Sequence, residues 1–230
     1  MKDSVLVVAA HPDDEVLGCG ATLARHAAEG DDVHVLILAE GITSRDPSRD
    51  ARARAADIEA LRAVAQNAAA ALGVRPPEFG GFPDNRMDSV PLIDVVKCVE
   101  RTVAACRPAV VYTHHPGDLN VDHRVAAVAV LTACRPLPGQ SVRAIYAYET
   151  PSSTEWSPTA LAEPFAPARW VSVAPYLDAK FAALAAYESE MRPFPHARSI
   201  EAVRALAALR GAQCGHPAAE AFSILREVRV

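Results

Sequence analysis

No stretch of this sequence is apolar for long enough to cross a bilayer. The amino terminus, MKDSVLVVAAHPDD, has six consecutive apolar residues before a histidine and two acids. That is too short for the apolar part of a secretory leader. Neither membrane insertion nor export is expected, and the reading is a cytoplasmic protein. The cysteine pattern also excludes. The cysteines at 19, 98, 106, 134 and 214 are odd in number and include no CxxC pair. A zinc ribbon and a disulfide framework both lose support, and a reducing compartment fits. Excess positive charge is missing too: 23 Lys+Arg against 28 Asp+Glu give a net charge of −5, against a constitutive nucleic-acid binder. There is no internal repeat, no low-complexity tract and no G-x-S-x-G nucleophile elbow.

The chain has 230 residues, 50% of them hydrophobic and 22% charged, as in an ordinary soluble domain. At that length about 70% of the unfolded chain's surface can be buried without covalent staples. Val5 to Ala10 and Val33 to Ala39 are continuous, β-branched apolar runs, the pattern of strands covered on both faces. Phe79–Phe82, Ala109–Tyr112, Val142–Tyr148 and Trp170–Val173 are further strand candidates. Helical spacing marks 17–29, closed by Gly30, then 58–72, closed by Gly73. It marks again 92–103, a stretch ending near Cys134, 177–191 and 200–206. Strand and helix alternate over residues 1–135. That predicts an α/β, Rossmann-like, doubly wound and mostly parallel sheet with helices on both faces. Residues 136–230 are expected to complete the same single domain, 1–230, with 151–167 as a long loop.

In such sheets ligands bind beyond the carboxyl ends of the strands, where this sequence is most polar. His11, Asp13, Asp14 and Glu15 follow the first strand. Glu40 and the arginine-rich stretch Arg45 to Arg54 follow the second. Asp84, Asn85, Arg86 and Asp88 follow the third. His114, His115, Asp118, Asn120, Asp122 and His123 follow the fourth. A catalytic zinc takes three protein ligands and keeps one position open. His11 and Asp14 are three apart at a strand-to-helix turn, stiffened by Pro12, and can reach one ion. His123 can complete the set, leaving Asp13 or Asp122 as a base or as a partner to a ligand. The bland reading of HPDD alone is a helix N-cap; the second His- and acid-rich loop weighs against it.

The rival from another class is a nucleotide-binding module. Gly18-Cys19-Gly20 resembles the opening of G-x-G-x-x-G, and Glu40 stands where a ribose-binding acid would. Leu23 occupies the third glycine position, however, and HPDDE sets carboxylates where a pyrophosphate needs N–H donors.

AHPDDEVLGCGATLARHAAEG resembles the opening motif of the PIG-L/LmbE-like zinc-dependent deacetylases, and DLNVDHRVA resembles their second metal motif. GFPDNRMD, YETPSSTEW, PHARS and AEAF extend the likeness more loosely over most of the chain. The resemblance implies a Rossmann-like fold and removal of N-acyl groups, usually acetyl, from amino sugars or their conjugates. It implies Zn2+ on His11, Asp14 and His123, Asp13 as general base, and Asp122 as the acid beside the last ligand. Many relatives carry a histidine where this chain has Asn120; Asn120 or His115 then supplies the second catalytic donor. Arg45, Arg54, Arg86, Asp88 and Glu149 are the candidate contacts to substrate. The implied partner is a small N-acetylated sugar, with no nucleic acid and no membrane insertion, and relatives point to a homo-oligomer. An amidohydrolase for a non-sugar N-acyl compound is the alternative among hydrolases.

Overall fold

Val5, Leu6, Val7, Val8 and Ala9 are each fully buried, as a strand covered on both faces requires. The computed structural model describes residues 2–229. Its strands are β1 (Ser4–Ala9), β2 (Asp32–Ala39), β3 (Glu78–Phe82), β4 (Val110–His114), β5 (Ala144–Tyr148), β6 (Arg169–Ser172) and β7 (Ala219–Glu227). Its helices are α1 (Asp14–Glu29), α2 (Ala55–Leu72), α3 (Leu92–Cys106), α4 (Val121–Ala133), α5 (Leu177–Ala186) and α6 (Ile200–Ala212). All strands join one sheet in the order β3-β2-β1-β4-β5-β7-β6. β1 to β5 pair in parallel, and β7 runs antiparallel to both β5 and β6.

Alternation along β1 divides the core. Val5, Val7 and Ala9 pack with Leu23, Leu61, Leu72 and Leu184, from α1, α2 and α5. Leu6, Val8 and Ala10 pack with Val95, Val99, Ala126 and Val130, from α3 and α4. The doubly wound, mostly parallel expectation is therefore met.

Three details differ from the sequence expectation. β4 continues to His114, which turns that histidine into a core strand residue. α5 stops at Ala186, short of Met191. β7 went unread because Glu220 sits in its buried half, masking the apolar run Ala219, Ala221 and Phe222. That glutamate has a local purpose. α1 begins at Asp14 but is broken at Cys19, whose φ and ψ are −146° and 19°. At the break Glu220 accepts the freed N–H groups of Ala21 (3.1 Å) and Thr22 (2.7 Å). Lys180 Nζ donates to the freed Leu17 carbonyl (2.9 Å) and to Glu220 (2.6 Å). Each helix half thus ends on the charge that its dipole favours. Gly18 is required beside the break, since a Cβ there would lie 2.1 Å from the Tyr148 ring.

Candidate active site

Strand order reverses between β1 and β4, and the loops after them face one crevice. A cavity of about 230 Å³ opens there, lined by His11, Asp13, Asp14, Arg45, Asn120 and His123 among others. Pairing of β1 with β2 and β4 brings together residues more than a hundred positions apart in sequence.

The turn after β1 is shaped by Asp13, which holds a φ of 114°, rarely adopted by residues with a side chain. Its carbonyl accepts from Val16 N (3.0 Å) and Leu17 N (2.9 Å) and so starts α1. Glu15 steadies the turn: it accepts from Asp13 N (3.1 Å) and from the Tyr187 hydroxyl (2.7 Å). Burial pushes the Glu15 carboxyl up to about 7, against the pull of those hydrogen bonds. The Asp13 carboxylate is itself buried and pairs with Arg198 at 3.2 Å.

His11 Nδ1 lies 3.1 Å and His123 Nε2 3.2 Å from the same oxygen, Asp14 Oδ2. One ligand atom from each of the three residues falls within 4.8 Å of the others. His123 Nε2 is buried and makes no aligned hydrogen bond, although it is close to Asp14. The opposite nitrogens are occupied. His123 Nδ1 sits 3.1 Å from Asp118, and His11 Nε2 sits 3.1 Å from Asp122. Each imidazole therefore has a carboxylate behind it and one nitrogen aimed at the shared centre, the arrangement that orients histidine ligands. An orphaned nitrogen, a second imidazole and a carboxylate on an open cavity fit zinc by donor type.

A second grouping, His11 with Asp84 and Asp122, fits a metal less well. Asp122 is fully buried and absent from the cavity lining. Its oxygens accept from Asn85 N (2.7 Å) and Met87 N (2.9 Å).

The electrostatics show a centre that calls for positive charge. Burial alone would lower the His11 imidazole, yet the hydrogen bonds to Asp122 and Asp14 hold it well above its usual range. Burial would likewise lower His123, but Asp14 and Asp118 lift it to about 9. Burial would raise Asp14, but the imidazoles of His123 and His114 hold it well below the ordinary carboxylate range. Asp13 behaves oppositely: burial and the neighbouring Asp14 charge raise it well above that range, only partly offset by Arg198. The two adjacent aspartates thus have different proton affinities.

His114 has a supporting place. Its ring stacks on His123 at 3.9 Å, and its Nε2 accepts from Ala10 N at 2.9 Å. Asn120 lines the cavity and caps α4, accepting from Asp122 N at 2.8 Å while its amide donates to Asn85 Oδ1 at 2.8 Å. Arg45 reaches the cavity and pairs with Glu190.

Other candidates are not brought to the cavity. His115 turns away to the Glu163 carbonyl (2.9 Å) and the edge of Phe165. Arg54 is held by Asp46 and Asp57. Arg86 is exposed outside the lining, and Asp88 borders a groove beside α4. Glu149 is clamped by Arg210 at 2.7 Å. Glu40 is taken up by Arg49 and Thr43, which leaves the nucleotide reading without its acid.

Sequence reasoning passed over Asp118, Glu190, Arg192 and Arg198 as site residues, though all but Asp118 line the cavity. Asp118 stood in the flagged loop, and Arg198 in the PHARS fragment. Nothing local marked Glu190 or Arg192.

The PIG-L family model, described as GlcNAc-PI de-N-acetylase, matches residues 6–134. An uncharacterised deacetylase of Escherichia coli is 31% identical over 66% of this chain and 76% of its own length. The 1D-myo-inositol 2-acetamido-2-deoxy-alpha-D-glucopyranoside deacetylase of Rhodococcus erythropolis is 35% identical over 56% of this chain. The match spans about half, 51%, of that enzyme. Among solved structures, the 4-carboxy-2-hydroxymuconate hydratase of Pseudomonas putida superposes with a TM-score of 0.79. It is 25% identical and covers 100% of this chain and 98% of its own. A family match across more than half of the chain, on the segment that carries both His- and acid-rich loops, establishes that the chain belongs to the PIG-L family.

Proposed function

We propose that the chain is a zinc-dependent hydrolase that removes the N-acetyl group from an amino sugar or amino-sugar conjugate. The observation that carries this reading is the convergence of His11, Asp14 and His123, with Asp13 beside them, on one polar cavity. Family membership and the sugar deacetylase among the relatives support the substrate class.

His11, Asp14 and His123 would hold the metal. A bound zinc supplies Lewis acidity for an amide carbonyl and for an attacking water. The chain's own groups do the rest. Asp118 and Asp122 fix the two imidazoles. Asp13, raised in proton affinity by burial, takes the proton from the water as its oxygen bonds to the acyl carbon. Arg198 holds that carboxylate in place. The C–N bond then breaks, and Asp13 returns the proton to the departing nitrogen. Acetate and a free amine result. Asn120, on the cavity wall, offers its remaining amide hydrogen to the developing oxyanion or to a sugar hydroxyl. Arg45 and Arg192 meet the rest of the substrate.

The test is acetate release over a panel of N-acetylated amino sugars and conjugates, glucosaminyl-inositol included, beside simple N-acyl amines. Release confined to sugars supports the reading, and release only from simple amides moves it to the non-sugar alternative. The hydratase neighbour supplies a second outcome. Hydration of an unsaturated acid without acetate release would replace the proposal. His123→Ala should lose most bound metal and turnover; a full zinc complement in that variant would overturn the ligand set.

A further inference from the structure

A second cavity, of about 250 Å³, lies between the later part of α1 and the edge strand β6. Thr22, Arg25 and His26 line it, 8 to 12 residues beyond Asp14 on α1, so roughly 12–18 Å along the helix from the first site. Glu29, which is paired with Arg25, also lines it, together with Tyr112, Arg169 and Trp170. None of these residues borders the first cavity.

Two atoms at this cavity lack hydrogen-bond partners. One is Thr22 Oγ1, on a side chain with no exposed surface, and the other is Arg169 Nε. Buried polar groups are normally satisfied, and both exceptions belong to residues that line the same space. The other polar side chains around them already have partners. Arg25 pairs with Glu29 at 2.8 Å and donates to the Ser172 carbonyl, tying α1 to β6. His26 sits between Asp31 (2.7 Å) and the Tyr112 hydroxyl (3.0 Å). Arg169 lies 4.4 Å over the Tyr146 ring, and no carboxylate among the described residues pairs with it. The cavity wall therefore carries a guanidinium without a carboxylate partner and an unpartnered hydroxyl. His26, Glu29 and Asp31 approach one another as metal donors would, but Arg25 already pairs with Glu29 and His26 already hydrogen-bonds Asp31.

We propose that this cavity is a second ligand site, taking a small monoanion whose carboxylate or phosphate oxygens bind Arg169 and Thr22, with any apolar part against Trp170 and Val171. A planar guanidinium with a free Nε–H suits a two-point contact to such a group. The hydroxyl supplies a further donor at short reach.

The test titrates the full-length, metal-loaded protein with inorganic phosphate, acetate and benzoate at constant ionic strength, following backbone amide shifts. Saturable shifts around Thr22, Arg169 and Trp170 are expected, and the preferred probe separates phosphate from carboxylate ligands. Arg169→Met should weaken that binding at least 10-fold. Thr22→Val, which keeps the shape and removes the hydroxyl, should weaken it several-fold without lowering Tm. Anion binding at the first cavity will respond to neither change and serves as the internal control. The proposal is overturned by shifts confined to the first cavity, by second-site binding indifferent to both variants, or by no saturable binding at all. A benzoate-soaked crystal with only water bridging Thr22 and Arg169 would overturn it equally.

Discussion

Asp13 and Asp14 are adjacent, chemically identical and opposite in behaviour. Asp14 lies among three imidazoles and stays ionised, whereas Asp13 is buried with Arg198 as its one cationic partner and holds a proton more readily. The positive φ at Asp13 lets two consecutive carboxylates serve one centre from different sides. Asp13→Asn should keep the full metal complement while kcat falls by roughly 10² to 10⁴, the usual weight of general acid–base catalysis. Metal analysis beside steady-state kinetics checks this, and near-normal turnover would remove Asp13 from the mechanism. Asn120 has a measurable structural duty as the cap of α4. Asn120→Ala should cost about 1 kcal/mol in denaturant unfolding. If its amide also serves the reaction, kcat should fall about 10²-fold, and Asn120→His should restore part of it. Early melting with unchanged kcat would leave the cap as its sole role. The convergence of His11, Asp14 and His123 was legible because histidine and carboxylate side by side in a strand-end loop have few structural uses. The arginines were not, because an arginine's partner is set by the fold: Arg54 finds Asp46, and Arg198 finds Asp13.

The break in α1 is the element on which the site rests. Asp14 and Glu15 occupy the short half before Cys19, and that half is held from the far end of the chain by Lys180 and Glu220. Both are buried, so removing one leaves the other charged and alone. Lys180→Met should destabilise by about 3–5 kcal/mol. Lys180→Met with Glu220→Gln should cost less than the sum of the two single changes, since the pair is coupled. Chemical denaturation of the four species tests this; strict additivity would deny the coupling. Strands β1, β2 and β4 were readable as apolar runs because both of their faces are covered. β7 was not, because a glutamate at the helix break interrupts its apolar pattern, and the break lies two hundred residues away in sequence.

At the scale of the molecule, a cation held by His11, Asp14 and His123 would couple its binding to folding through the carboxylates beneath the cavity. Asp14, Asp84, Asp118 and Asp122 all surround the two imidazoles. A cation at about 1,000 times its dissociation constant adds about 4 kcal/mol to stability. Chelation should therefore lower Tm by roughly 10 °C, and readdition of zinc should restore it. His123→Ala should show little of this shift. An identical Tm with and without chelator would speak against metal at this site. The amino-acid sequence by itself determined the architecture of the first half and named the three residues that gather at the candidate metal centre. Both are written in short-range patterns: buried runs at period two, helical runs at period 3.6, and acid–histidine loops at strand ends. Tertiary structure alone decided which carboxylate stands behind each histidine, which arginine meets Asp13, and that Thr22 and Arg169 share a cavity. The histidine–carboxylate pairs and the Arg198–Asp13 pair join residues 5 to 185 positions apart, and only the crossing of strands and helices brings them within hydrogen-bond range.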